Sequence, residues 1–285
     1  MYEKIIVPLD GSEQAEFVLP YVEKLAGTFN SSIDLIAVSA NHDTTNIHLL
    51  QKYLAGIADG ITGKGLKTSS TYLPGNPGED IINYANKNAD ALLALASYGG
   101  SGVSHWLLGD LTSKLITRTN TPVLLVPEKQ HPQNVKEPEF LRIVVPLDGS
   151  PQGATAMPYA RVMAQKTGSK LFLVNVVTSV YKSYGAVKYA SDFEKQLAET
   201  LHKEAREYFN TLTPELEREK IAFKADIISG SPADSILRYA EENNADLIAI
   251  STHGRSGVKR FIMGSVTQQI IHSSDLPILV IRAKK

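Results

Sequence analysis

The sequence predicts an α/β protein built as two tandem domains, each with its own parallel sheet, and three observations predict it. The hexapeptide Val-Pro-Leu-Asp-Gly-Ser occurs twice, at residues 7–12 and 145–150. Short β-branched runs alternate with segments of helical period in both halves, the pattern of βαβ units. A length of 285 residues suits two domains of ordinary size, each burying its own core.

The repeat fixes the elements in order. An offset of 138 carries the hexapeptide, Pro20-Tyr21 onto Pro158-Tyr159, and Val38 onto Val176. Farther on the offset is 155, carrying Gly75-Asn-Pro77 onto Gly230-Ser-Pro232, Gly99 onto Gly254, Gly109 onto Gly264 and Pro122 onto Pro277. The second copy therefore holds 17 extra residues between its second and third strands. Its strands read Arg142–Pro146, Lys170–Val177, 222–228, Leu247–Ser251 and Ile278–Ile281. Ser150-Pro151 predicts an N-cap with proline at the first helical position, and Pro158 a kink within that helix. The insertion reads as a long covering helix, because Phe193, Leu197, Leu201, Ala205, Tyr208 and Leu212 form one apolar stripe. Residues 128–139, rich in Pro, Gln, Lys and Glu, read as a linker, giving domains 1–127 and 140–285.

Composition excludes several functions. A net charge of -1 provides no general attraction to nucleic acid or anionic lipid, so neither is an expected partner and any anion site must be local. With no cysteine there are no disulfides, no thiolate catalysis and no Cys-based zinc. The seven histidines are scattered without metal-ligand spacing, so no metal site is assigned to protein side chains. No signal peptide and no run of roughly 20 apolar residues is present, so a cytoplasmic protein without a membrane span is expected.

Two loops carry candidate chemistry. In an open parallel sheet, ligands bind beyond the carboxyl ends of the strands, where strand order reverses. After strand one, Pro146-Leu147-Asp148-Gly-Ser150 places a carboxylate where strand gives way to helix; on residues alone, Asp148 and Ser150 read equally as turn and cap. After strand four the chain runs Ser251-Thr-His253-Gly254-Arg255-Ser-Gly257-Val-Lys259-Arg260-Phe-Ile-Met-Gly264-Ser265-Val266. Its glycines allow close backbone approach. Gly264-Ser265 open a helix whose N-terminus favours phosphate, and Arg255, Lys259 and Arg260 add three cations. A solvated glycine-rich crossover is the plainer alternative. His253 has no nearby acid or serine that would make a catalytic set.

These loops resemble those of the universal stress protein family, and the resemblance spans nearly the whole chain as two tandem copies. The family's phosphate motif is Gly-x-x-Gly, nine residues, then Gly-Ser or Gly-Thr. Gly254 and Gly264-Ser265 match it, while Ser251 replaces the first glycine. Pro146 and Asp148 match the strand-one mark whose aspartate faces adenine, and Val176 the strand-two valine near base and ribose. The resemblance implies flavodoxin-like, Rossmann-like five-stranded parallel sheets of order 3-2-1-4-5 with helices on both faces. It also implies pairing of the two copies through their fifth strands, and leaves association of two chains open.

The copies differ in chemistry. The first keeps Pro8, Asp10 and Val38 on the base side and the spacing of Gly99 and Gly109. Asp110, however, stands where Ser265 would donate to phosphate, and Gly100, Ser104 and His105 replace the three cations. A carboxylate there would repel a polyphosphate. The expectation is therefore a stress-response protein binding ATP in the second copy, with Mg or Mn arriving on the phosphates. Without a Walker A lysine or an aligned base, it is a binding protein, at most a slow ATPase. The alternatives are a nucleotide-independent scaffold built as an internal pseudo-dimer, and a group-transfer enzyme on the same fold.

Overall fold

A computed structural model describes residues 1–40, 43–88, 90–97, 110–127, 138–178, 191–255 and 263–283. The chain forms two compact units: Met1–Glu139 with Ser274–Arg282, and Phe140–Lys259 with Met263–Ser273 and Ala283–Lys285.

In the first unit, strands β1 (Lys4–Pro8), β2 (Ser32–Ser39), β3 (Thr68–Pro74), β4 (Ala91–Ser97) and β5 (Val123–Pro127) lie in the order β3-β2-β1-β4-β5. All four pairings are parallel, with Lys4 opposite both Ser32 and Ala91, Ile33 opposite Thr68, and Leu93 opposite Val123. The central strands are buried almost without alternation: Ile5, Ile6 and Val7, and Leu92, Leu93 and Ala94, are all at most 1% exposed. That is the signature of a sheet covered on both faces. Helices α1 (Glu13–Glu16), α2 (Leu19–Phe29), α3 (Thr44–Gly63), α4 (Pro77–Asn86) and α5 (Asp110–Arg118) connect the strands. Asn76 caps α4 through the Gly78 and Glu79 amides, with Pro77 in the first turn, where its missing N–H costs nothing.

The second copy repeats the plan. Strands β6 (Arg142–Pro146), β7 (Lys170–Val177), β8 (Phe223–Ser229) and β9 (Leu247–Ser251) run β8-β7-β6-β9, all parallel. Its fifth strand, β10 (Ile278–Ile281), falls in the first unit, where it pairs antiparallel with β5, Ile278 opposite Leu125. The helices are α6 (Met157–Thr167), α7 (Ser191–Arg218), α8 (Pro232–Glu242) and α9 (Ser265–Ser273).

Three local expectations change. Pro158 does not kink a helix: it lies in the first turn of α6, preceded by a 3-10 turn at Gly153–Ala156. Ser150 caps that 3-10 turn, accepting from the Gly153 amide at 2.9 Å, and Pro151 lies ahead of it. The expected covering helix is α7, packed on β7 and β8, but it is the counterpart of α3 from residue 199 on, so the 17 extra residues precede that point; its buried line is Ala205, Phe209 and Leu216, leaving Tyr208 and Leu212 half-buried. The linker expected at 128–139 lies outside the described residues up to 137.

Each unit also pairs a strand carboxylate with a tyrosine of the helix that follows its third strand, in part-buried surroundings. Asp34 on β2, 2% exposed, accepts from Tyr84 Oη at 2.5 Å, Ser69 Oγ at 3.0 Å and Lys4 Nζ at 3.3 Å. The equivalent tyrosine, Tyr239, donates at 2.5 Å to Asp226, which stands on β8 and also meets Lys224 Nζ at 2.8 Å. Phe172 fills the position of Asp34, and Thr71 that of Asp226.

Candidate functional site

The site grows from the carboxyl end of β6. Pro146 ends the strand and Leu147 is buried. Asn175 on β7, 4% exposed, donates through Nδ2 to the Leu147 carbonyl at 2.6 Å, so the neighbouring strand props the loop. The next residue, Asp148, is half-buried. Its Oδ1 accepts from the Ser150 amide at 3.0 Å and the Ser150 hydroxyl at 2.6 Å. Gly149 makes this turn possible with φ +84, a left-handed conformation that side chains disfavour.

The β9 loop closes on the same carboxylate. Arg255 donates its amide to Asp148 Oδ2 at 2.7 Å and its Nε to the Asp148 carbonyl at 2.6 Å. Its guanidinium thus lies along the Asp148–Gly149 turn. Gly254 is required by proximity: a Cβ there would come 2.1 Å from Asp148 Oδ2. Residues separated by more than a hundred positions therefore meet where the sheet reverses its order, between β6 and β9.

The remainder of the loop is tied back to the sheet. Ser251, 3% exposed, donates its hydroxyl to the His253 carbonyl at 2.5 Å, tightening the turn where the family motif has glycine. Thr267 Oγ1 donates to the Ser251 carbonyl, and the Gly264 amide to the Thr252 carbonyl, both at 2.8 Å. These bonds hold the first turn of α9 against the end of β9. The first helical bond of α9 runs from Gln268 to Gly264, so the amides of Ser265, Val266 and Thr267 precede the helical ladder, as at any helix start. Ser265 is exposed and Val266 half-buried.

His253 is 8% exposed. Its Nδ1 lies 2.9 Å from Thr252 Oγ1, which accepts from the Ala283 amide at 3.1 Å. The other ring nitrogen is Nε2. That nitrogen is buried with no hydrogen-bond partner among the described residues. Val176 stands half-buried one residue before the end of β7.

In the first copy, Asp10 repeats the turn, accepting from the Ser12 amide at 3.0 Å and the Ser12 hydroxyl at 2.6 Å. Pro8 ends β1, and Val38 is half-buried on β2. Asp110 is the first residue of α5, exposed and ion-paired with Lys114 at 2.9 Å. Gly99, Gly109, Gly257, Lys259 and Arg260 lie outside the described residues. Among the described residues there is no cluster of three or more groups able to hold a metal, and no helix long and apolar enough to cross a membrane.

Sequence reasoning had not singled out Asn175, Thr252 or Thr267. Their signal was only that polar side chains stand at positions the strand and helix periods bury.

Fold and loops together define a duplicated, doubly wound α/β protein whose β6 and β9 loops meet at the strand-order reversal of its second copy. The model of the universal stress protein family matches residues 1–127 and again 139–282, and the chain belongs to that family. Universal stress protein MJ0531 of Methanocaldococcus jannaschii is 28% identical over 146 residues, 51% of this chain and 84% of that protein. Universal stress protein Rv1996 of Mycobacterium tuberculosis is 25% identical over 215 residues, 72% of this chain and 63% of that protein. In fold, the chain is similar to the crystal structure of a universal stress protein from Archaeoglobus fulgidus, with TM-score 0.76 and 22% identity over 99% of each chain.

Proposed function

We propose that this is a cytoplasmic stress-response protein whose second copy binds an adenine nucleotide, ATP foremost, while its first copy does not bind a triphosphate. The observation that carries the reading is the closure of the β6 and β9 loops on Asp148, with the N-terminus of α9 tied to the same loop. A carboxylate offers about four acceptor positions, and three donors occupy Asp148, so an exocyclic amino group can take the fourth. The α9 amides, the Ser265 hydroxyl and His253 Nε2 are donors suited to phosphate oxygens. A divalent cation, Mg or Mn, would be held mainly by those oxygens, where it neutralises their charge.

Isothermal titration with ATP tests this on the unmutated chain and on Ser265→Asp, which installs the first copy's residue. A carboxylate some 4 Å from a phosphate costs on the order of a few kcal/mol near a protein surface, so Ser265→Asp should lose at least tenfold in affinity. No binding by the unmutated chain would refute the reading and leave the two copies as a nucleotide-independent scaffold.

A further inference from the structure

The two copies differ at one further pair of positions. Tyr53 on α3 and Tyr208 on α7 are equivalent at the offset of 155, each preceding a buried apolar residue, Leu54 or Phe209, and standing eight before another, Ile61 or Leu216. In the first unit the Tyr53 hydroxyl donates to Glu16 Oε1 at 2.9 Å. Glu16 corresponds to Ala154 at the offset of 138. The cap geometry anchors that equivalence, since the Ala15 amide donates to Ser12 Oγ and the Gly153 amide to Ser150 Oγ.

Alanine has no acceptor. The Tyr208 hydroxyl is buried and has no hydrogen-bond partner among the described residues. Ala154, the counterpart of the residue that meets Tyr53, follows the Asp148 turn directly, its amide bonded to the Ser150 carbonyl at 3.0 Å, and burial first, with the charge of Asp148 second, pushes the Tyr208 phenol up. Leaving a buried hydroxyl unsatisfied costs about 1–3 kcal/mol, and such a group calls for a partner. The absence of a Glu16 counterpart from the second copy and the orphaned hydroxyl are two sides of one difference: the tyrosine has no protein partner among the described residues in the copy that keeps Gly264-Ser265.

We propose that Tyr208 Oη is a ligand-contacting hydroxyl of the second site, hydrogen-bonding the nucleoside part of the bound nucleotide rather than its phosphates. It rests on the adenine-nucleotide reading above. The anionic carboxylate of Asp148 disfavours phosphate on this side and suits the neutral hydroxyl and amino groups of a nucleoside, whereas the positive end of α9 suits phosphate. Helix α7 is then part of the binding site as well as a cover for the sheet.

Titration calorimetry with ATP, adenosine and inorganic tripolyphosphate on the full chain tests this, using Tyr208→Phe, Ala154→Glu and the double variant. Tyr208→Phe should weaken ATP and adenosine by about 3- to 10-fold and leave tripolyphosphate unchanged. Ala154→Glu, which rebuilds the first copy's acceptor, should weaken them likewise, and the double variant should be no weaker than either single one. Equal ATP and adenosine affinities for Tyr208→Phe and the unmutated chain would overturn the proposal alone. So would a loss that falls equally on tripolyphosphate, the mark of a structural effect. No ATP binding by the unmutated chain would overturn the nucleotide reading and this proposal together.

Discussion

Gly254→Ala gives the most direct test of the loop closure. The added methyl would lie 2.1 Å from Asp148 Oδ2 and 3.1 Å from its Cγ, well inside van der Waals contact, so one of them must move. The carboxylate has little room to turn. Its Oδ1 is held by the Ser150 amide and hydroxyl, and a Cβ on Gly153, were there one, would stand 2.2 Å from the same oxygen. The contact that yields is the Arg255 amide on Oδ2, a hydrogen bond to a charged group worth roughly 1.5–3 kcal/mol. A loss of that size should lower the melting temperature by roughly 4–10 °C for a chain of this order of length. Thermal unfolding followed by circular dichroism measures it. The decisive control is Asp148→Ala: in that background the methyl meets no carboxylate, and adding Gly254→Ala should cost less than about 0.5 kcal/mol. An equal cost in both backgrounds would refute the closure as described. ATP affinity should fall with Gly254→Ala, because the β9 loop is no longer pinned to the β6 turn.

Other outcomes follow from the same geometry. Asn175→Ala should destabilise the chain by about 1–2 kcal/mol, since the buried Leu147 carbonyl loses its donor; a change below about 0.5 kcal/mol in urea unfolding would contradict the propping role. Burial alone would raise the Asp226 pKa, but Lys224, Tyr239 and Lys170 outweigh it and hold the carboxylate below its usual range. A carboxyl depressed in the folded state contributes stability above its unfolded value, about 3.9, and that contribution disappears as pH falls through the folded value. The stability gap between the unmutated chain and Asp226→Asn should therefore be level from pH 5 to 7 and narrow below about pH 4. A gap that stays level down to pH 2 would argue against an ionised Asp226 at the Tyr239 hydroxyl.

Much of this fold was legible because identity and periodicity both act over short distances. The hexapeptide and the β-branched runs each mark an element through its own local physics. Asp148 and Gly254 were also legible, since topology brings strand-end loops together wherever parallel order reverses. Pro158 misled because a helix begun at Ser150 puts it in the interior, where proline kinks; the 3-10 turn moves the helix start to Met157 and so puts the proline in the first turn, where it is favoured. Asn175 and Tyr208 were illegible for another reason. Each stands where a strand or helix period predicts packing, and what matters is the partner it has or lacks, which depends on residues 28 positions away in one case and on the absent Glu16 equivalent in the other.

The relocated carboxylate has a consequence for how the two halves can change. One copy supplies its acid from β2 and the other from β8, to equivalent tyrosines. Grafting β7 into the place of β2 would put phenylalanine at position 34 beside Thr71, leaving Tyr84 with no acid. The reverse graft would bring an aspartate to position 172 beside Asp226, crowding two negative charges under one hydroxyl. Exchange of single strands between the halves is therefore penalised in both directions, although the same six residues end the first strand and open its loop in both. The duplicated halves behave as a locked pair of dialects: each is internally consistent, and neither can borrow the other's second strand without its third.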